Sequence, residues 1–189
     1  MESLEHSLEL TGYRVKIWTR KAFRVTGYTL IVPPHSEAMI PQFWSEVAAD
    51  GRLDALKRAS AVPSWVLGLG SWDPECEKGG QRYTICIEET EQTDFAQLAQ
   101  QYPLFTKEIG ASDWMCFELA QDTNGERFWK DNPYQMMKKL GYRFHAGDLS
   151  VGLHFDAYPP DYDEESCPDM EFWITVKRRD RDPNARKTP

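Results

Sequence analysis

Residues 65–72 read Trp-Val-Leu-Gly-Leu-Gly-Ser-Trp, and residues 82–88 read Arg-Tyr-Thr-Ile-Cys-Ile-Glu. Both runs are rich in the aliphatic, β-branched and aromatic residues that favour strands. The segment between them contains Asp73-Pro74 and Gly79-Gly80, which are typical of loops. This part of the chain therefore predicts two strands joined as a hairpin.

The same hairpin pattern returns 85 to 89 residues further along the chain. Residues 151–153, Val-Gly-Leu, resemble the start of the first hairpin, Val-Leu-Gly-Leu at 66–69. Residues 171–176, Glu-Phe-Trp-Ile-Thr-Val, resemble its second strand, Arg-Tyr-Thr-Ile-Cys-Ile at 82–87. The pattern indicates an internal repeat.

Helix patterns occupy equivalent places before the two hairpins. In the first, apolar residues recur at helical spacing over residues 40–48. In the second, Asn132 is a good N-cap and Gly141 suits the position just after a helix. Residues 104–109 and 114–119 precede this helix and are predicted to form a strand pair.

These patterns predict one α+β domain over residues 13–177, made of the repeats 13–90 and 104–177. Each repeat runs strand–strand–helix–strand–strand, and neither holds much core alone. We expect the two units to pack with pseudo-twofold symmetry, with antiparallel sheets that carry helices on one face and a cleft between the halves. The basic, proline-containing residues 178–189 are predicted to form a disordered tail.

Charge narrows the choice of partners. The chain has 189 residues and a net charge of −8, although residues 177–189 contain six basic and two acidic side chains. Residues 1–176 therefore carry a net charge of −12. Such a body repels phosphate backbones and attracts cations, so we expect no direct binding to nucleic acid.

The cysteine pattern and the lack of targeting segments indicate the cellular compartment. No stretch approaches the roughly 20 apolar residues of a membrane span, and the N-terminus lacks the basic and apolar regions of a signal peptide. The cysteines at 76, 86, 116 and 167 form no CxxC pair, and the four histidines lack metal-ligand spacing. We expect a cytoplasmic protein with reduced thiols, no membrane association, no metal and no cofactor.

Alternate side chains of a strand point to opposite faces of its sheet. One set of faces in the predicted strands is plainly apolar, whereas the other combines aromatic rings with carboxylates. The members of this mixed set are Trp114, Glu118, His154, Asp156, Tyr158, Glu171 and Trp173. The set is either a solvated sheet face or an aromatic-walled cleft with carboxylates. A cleft of that kind suits a flat, lipophilic and often cationic molecule.

Two aromatic side chains from the first half complete the candidate ligand-binding set. Trp44 lies on the predicted first helix, where it is either a core residue or a cleft-edge residue, and Tyr83 lies in the first hairpin. Gly68 and Gly70 alternate with leucines in the same hairpin, so one face of their strand leaves space above it.

The chain resembles the gyrase-inhibitor-like (GyrI-like) small-molecule-binding domains, also known as bacterial transcription-activator effector-binding domains. The resemblance covers nearly the whole chain, from Tyr13 to Lys177. The resemblance rests on the order and the spacing of several short segments. These segments are residues 23–28, 40–44, 65–70, 83–88, 109–117, 140–142, 155–158 and 171–176.

The resemblance implies a duplicated strand–helix–strand–strand fold that binds hydrophobic, frequently cationic compounds between its halves. Many members use an acidic residue two positions before the tyrosine of the penultimate strand. That position is Asp156 here, where the family usually has the longer Glu. Trp173, with Glu171 on the same face, matches the aromatic position of the last strand. Many relatives carry a helix-turn-helix DNA reader, for which the strands beginning by Val15 leave no room.

Three functions follow from these residues. The first is a stand-alone binding protein that sequesters or senses lipophilic cationic or planar aromatic compounds. The second, implied by stand-alone relatives that resemble hydrolases, is hydrolysis of strained electrophiles, with Asp156, Glu171 or Glu118 activating water. The third is a module that binds a separate protein partner through its acidic surface. The sequence leaves the natural ligand and the choice between monomer and dimer open.

Overall fold

The computed structural model of the chain describes residues 2–71, 74–119, 126–145, 154–162 and 170–179. Its helices are α1 (Ser7–Thr11), α2 (Met39–Ala49), α3 (Arg52–Arg58), α4 (Ala96–Gln101), α5 (Glu126–Asp131) and α6 (Pro133–Lys139). Its strands are β1 (Glu2–Ser3), β2 (Arg14–Arg20), β3 (Phe23–Val32), β4 (Val66–Ser71), β5 (Gln81–Glu88), β6 (Phe105–Ile109), β7 (Ser112–Glu118), β8 (Tyr142–Phe144), β9 (His154–Tyr158) and β10 (Glu171–Arg178).

The strands of the described residues form one antiparallel sheet in the order β1-β2-β7-β10-β9-β4-β5-β3-β6, with β8 paired to β10. The α+β class and both predicted hairpins, β4–β5 and β9–β10, are confirmed. One strand from each hairpin, β4 and β9, pairs with the other at the centre of the sheet. The boundary between the two predicted repeats therefore lies inside a continuous sheet.

The predicted strand pair over 104–109 and 114–119 is wrong. Both strands exist as β6 and β7, but β6 pairs with β3 and β7 pairs with β2. The pairing with β2 places Ile17 opposite Met115 in the core under α5 and α6. Strand β2 of the first half thus pairs with a strand of the second half, and β6 of the second half pairs with a strand of the first.

The sheet is strongly curved. The rings of Phe23 in β3 and Trp114 in β7 are 6.2 Å apart, although four strands separate β3 from β7 in the sheet order. Adjacent strands are about 4.8 Å apart, so a flat sheet would hold these rings more than about 20 Å apart. Arg20 of β2 also reaches Glu88 of β5, with two hydrogen bonds of 2.6 and 2.8 Å. The sheet therefore curls into a half-barrel with an inner, concave face.

The helices cover the outer, convex face. In the first half, Phe43 and Val47 of α2 and Leu56 of α3 pack on Ile85 and Tyr28. In the second half, Phe128 of α5 and Met136 and Met137 of α6 pack on residues that include Phe117 and Phe172. The concave face has its own core, drawn from the strands, with leucines of β4, Phe155, Trp114 and Trp173.

The C-terminal end of the described chain extends slightly into the predicted tail. Strand β10 continues to Arg178, and the backbone N–H of Arg179 donates to the carbonyl of Gly141 at 2.9 Å. The rest of the predicted disordered tail lies outside the described residues, as do Val151–Leu153 of the second predicted hairpin and Cys167. No helix within the described ranges is long and apolar enough to cross a membrane.

Candidate ligand-binding site

Asp156 lies at the centre of the convex face, where the two halves meet. It occupies the middle of β9, between Gly68 of β4 and Phe172 of β10. A glycine is required beside it, because a Cβ at Gly68 would come within 2.0 Å of the Tyr83 hydroxyl and 3.3 Å of the Trp44 ring. The space that the sequence predicts above this face of β4 is filled by these two aromatic side chains.

A short hydrogen-bond chain leads to the carboxylate. The indole Nε1–H of Trp44 donates to the Tyr83 hydroxyl at 3.0 Å, and this hydroxyl donates to Oδ2 of Asp156 at 3.1 Å. The other carboxylate oxygen, Oδ1, is enclosed and has no hydrogen-bond partner among the described residues. The carboxylate is therefore held by one oxygen and unsatisfied at the other.

Burial dominates the electrostatics of this group. It raises the pKa of Asp156 from 3.8 to about 7, and the hydrogen bond from Tyr83 opposes that rise only in part. Burial and the neighbouring carboxylate raise the pKa of Tyr83 well above its usual value, so its proton stays available for donation. An ionised carboxylate in this setting favours any cation that reaches it.

Aromatic rings surround the carboxylate. The rings of Trp44 and Tyr158 meet edge-to-face at 4.9 Å, and Tyr158 meets Tyr162 in the same way at 4.8 Å. From the other side, Tyr134 of α6 is near enough to Asp156 that the carboxylate contributes to its raised pKa. The group thus lies between side chains of α2 and α6, where the first and second halves of the sequence meet.

Four predicted site residues lie on the opposite, concave face: Trp114, Glu118, Glu171 and Trp173. The prediction that Asp156 and Trp173 share a face is wrong. Directly paired residues of antiparallel strands share a face, and Asp156 is opposite Phe172, whereas Trp173 is opposite Phe155. The alternation predicted along each strand is correct. The register between neighbouring strands does not follow from alternation, and the prediction therefore grouped side chains that lie on opposite faces of the sheet.

The carboxylates of this concave group are already compensated. Glu118 forms an ion pair with Lys16 of β2, and Glu171 accepts a 2.6 Å hydrogen bond from Nε1 of Trp173. Trp173 packs against Trp18 and Trp65 at 5.0 and 5.8 Å between ring centroids. Both carboxylates of this group thus have a partner, in contrast to Asp156, although the indole N–H groups of Trp18 and Trp114 have no hydrogen-bond partner among the described residues.

Sequence reasoning missed Tyr134 and Tyr162 as members of the site. Tyr134 lies in α6, and the apolar pattern of this helix does not indicate that the tyrosine is near a carboxylate of the sheet. Tyr162 follows β9 in an acidic segment, which favours a solvated loop. Two surface depressions, one beside Glu89 and Glu108 and one beside Asp113 and Lys177, do not include Asp156.

No protein-family model matches the chain, and no curated protein matches it either. Solved structures match it over most of its length. SAV2435 bound to tetraphenylphosphonium is 16% identical, with a TM-score of 0.66 over 86% of this chain and 93% of that one. A bacterial transcription regulation protein from Staphylococcus aureus MU50 is 16% identical, with a TM-score of 0.62 over 86% and 97%.

The C-terminal domain of EcmrR is 13% identical, with a TM-score of 0.53 over 88% of this chain and 99% of that domain. SAV2435 and this domain are GyrI-like effector-binding domains. The chain therefore has the GyrI-like fold that its sequence resemblance implies.

Proposed function

We propose that this protein binds lipophilic cations, including planar aromatic ones, between α2, α6 and the centre of the sheet. The bound molecule would be sequestered there or sensed on behalf of a separate partner. Asp156 neutralises the positive charge, and Trp44, Tyr158 and Tyr134 supply the aromatic walls.

One observation carries this proposal: the enclosed oxygen Oδ1 of Asp156 has no partner in the described part of the chain. An unsatisfied buried carboxylate costs on the order of several kcal/mol, and a cationic ligand recovers part of that cost. The Tyr83 hydroxyl fixes the other oxygen, so the geometry is prepared before a ligand arrives.

The structural likeness supports the same ligand chemistry. SAV2435, which shares the fold over 86% of this chain, is bound to tetraphenylphosphonium, a lipophilic cation. The rings of Trp44 and Tyr158 are in contact with each other beside the carboxylate. Binding therefore requires these rings to part, and tryptophan fluorescence should report it.

The test compares tetraphenylphosphonium with tetraphenylborate, which has nearly the same shape and the opposite charge. The wild type should bind the cation and discriminate against the anion. Asp156→Asn keeps the shape but removes the charge, so we expect cation affinity to fall about 5- to 100-fold. Affinity for the cation should also fall as pH drops below about 7, because the carboxylate becomes protonated.

Glu118→Gln is the matched control, since it removes a carboxylate of the concave face that Lys16 already compensates. Its cation affinity should stay within about twofold of the wild type. Equal affinity for the two probes, or loss in Glu118→Gln but not in Asp156→Asn, would contradict the proposed site.

A hydrolase remains the second candidate, because a carboxylate with a pKa of about 7 suits general acid–base catalysis near neutral pH. Incubation with a strained electrophile such as an aryl epoxide distinguishes the two functions. A hydrolase predicts turnover that Asp156→Asn abolishes, whereas a binding protein predicts saturable binding without product.

A further inference from the structure

A second polar side chain lies on the same face of β9 as Asp156. His154 is two residues before it, so the two side chains project from points about 7 Å apart along the strand. His154 is opposite Gly70 and Asp156 is opposite Gly68. Strand β4 therefore presents bare backbone beside each polar group.

The imidazole is more enclosed than Asp156, which is half-buried as a residue although its Oδ1 is covered. His154 is 9% exposed, and its Nδ1 has no hydrogen-bond partner among the described residues. Burial lowers the pKa of His154 to about 4, so the ring is neutral at pH 7. A Cβ at Gly70 would lie 2.7 Å from the ring, which shows how closely β4 approaches it.

Aromatic groups frame this position as well. The ring of His154 stacks on Phe172 at 5.2 Å, and Trp129 of α5 meets it edge-on at 5.6 Å. Trp129 is 43% exposed, an unusual degree for a tryptophan beside a buried core. The aromatic surface therefore extends from Asp156 past His154 towards solvent at α5.

The tautomer of His154 decides what Nδ1 recognises. A neutral imidazole carries its proton on one nitrogen only. Among the described residues, Nδ1 is the ring nitrogen that is both enclosed and without a hydrogen-bond partner. A proton on Nδ1 would bury an N–H without an acceptor, which is rarer in proteins than a bare buried acceptor. The proton is therefore placed on Nε2, which leaves Nδ1 as an acceptor for a donor group.

We infer that His154 is a second anchor of the ligand site and selects flat cations that carry an additional N–H or O–H donor one ring system away from the charge. This inference rests on the proposed function, since it assigns the ligand class of the same cleft. Asp156 takes the charge and His154 Nδ1 accepts the donor. Phe172, which is opposite Asp156 and stacks on His154, contacts the planar body between them.

Two acridine dyes test it. Proflavine carries free amino groups, whereas acridine orange has the same cationic ring system with those donors methylated. The measured quantity is the ratio of the acridine orange Kd to the proflavine Kd. His154→Phe keeps a flat ring against Phe172 without polar atoms, and we expect it to lower this ratio about 3- to 10-fold.

His6→Phe, at an exposed histidine, is the matched control and should leave the ratio unchanged. Thermal unfolding of His154→Phe establishes folding; its Tm should not fall, because an unpartnered polar atom is removed. A ratio that His154→Phe leaves unchanged, while tetraphenylphosphonium still binds, overturns the second anchor alone. Failure of both dyes and of tetraphenylphosphonium to bind overturns the proposed function together with it.

Discussion

At the scale of single residues, burial shifts the pKa values of Asp156 and His154 in opposite directions. Burial raises the pKa of the acid to about 7 and lowers the pKa of the base to about 4. Each group is therefore disfavoured in its charged form, and each has one atom without a partner among the described residues. Such paired costs at one place in a fold are typical of ligand sites, where a ligand recovers them.

The two shifts predict opposite effects of pH on the stability of the empty protein. For Asp156 the folded pKa is raised, so this group stabilises the fold as pH falls from about 7 towards 4. For His154 the folded pKa is lowered, so stability is lost as pH falls from about 6.5 towards 4. In the wild type these contributions largely cancel.

Single variants should separate them. Relative to the wild type between pH 7 and pH 5, Asp156→Asn should lose about 1–2 kcal/mol of unfolding free energy and His154→Phe should gain about as much. Urea unfolding of the three proteins at both pH values measures these differences. If both variants follow the wild-type pH dependence, the two groups are not buried as described.

At the scale of elements, the alternation Leu-Gly-Leu-Gly in β4 organises the site. The leucines point into the concave core, and the glycines give room on the convex face to Tyr83, Trp44 and His154. This role follows from close approach of side chains and not from backbone conformation. The six residues of β4 thereby separate the concave core from the candidate site on the convex face.

Gly68→Ala tests that role. Its Cβ would lie 2.0 Å from the Tyr83 hydroxyl, so the phenol must move away from Asp156. We expect a loss of about 1–3 kcal/mol of stability, in line with overpacked cores, and weaker binding of tetraphenylphosphonium. Urea unfolding and a fluorescence titration measure the two effects.

The double variant Gly68→Ala/Tyr83→Phe is the internal control. Removing the hydroxyl removes the closest clash, so Gly68→Ala should cost less in the Tyr83→Phe background than alone. Additive losses would mean that the methyl group destabilises β4 by another route.

Some features of the secondary-structure elements can be predicted from the sequence and others cannot. Alternation and turn residues predict the two hairpins and the space on the convex face beside Gly68, because these depend on neighbours in the chain. The face shared by Trp173 and Phe155 and the partner of β6 depend on register and on pairing across the sheet. Short-range patterns carry no information on either, so these predictions failed.

At the scale of the whole molecule, the sheet order has an internal symmetry. Outward from the central β4–β9 pair, one side runs β4-β5-β3-β6 and the other β9-β10-β7-β2. The fourth strand on each side comes from the other half of the sequence, since β2 belongs to the first half and β6 to the second, and β1 adds a further strand beyond β2. That residues 104–177 superpose on 13–90 by a near-twofold rotation stays a prediction.

The exchange of strands predicts that neither half folds alone. A chain divided after Thr90 leaves β2 without its seven-residue partner β7 and β6 without β3. It also splits the central β4–β9 pair, on which Asp156 and Gly68 depend. Each fragment would expose apolar sheet surface that no helix of its own covers, so the fragments should be unfolded or aggregated when separate.

Mixed together, residues 1–90 and 91–189 should assemble one-to-one, because each supplies the edge that the other lacks. Circular dichroism and size-exclusion chromatography of the fragments, apart and combined, measure this, and tetraphenylphosphonium binding should return only on mixing. A cooperatively folded, monomeric fragment 1–90 would show that the exchanged strand is dispensable. The proposed binding site draws on both halves, since α2 and Tyr83 come from the first and Asp156 from the second. Ligand binding is thus expected to stabilise the junction of the halves more than either half itself.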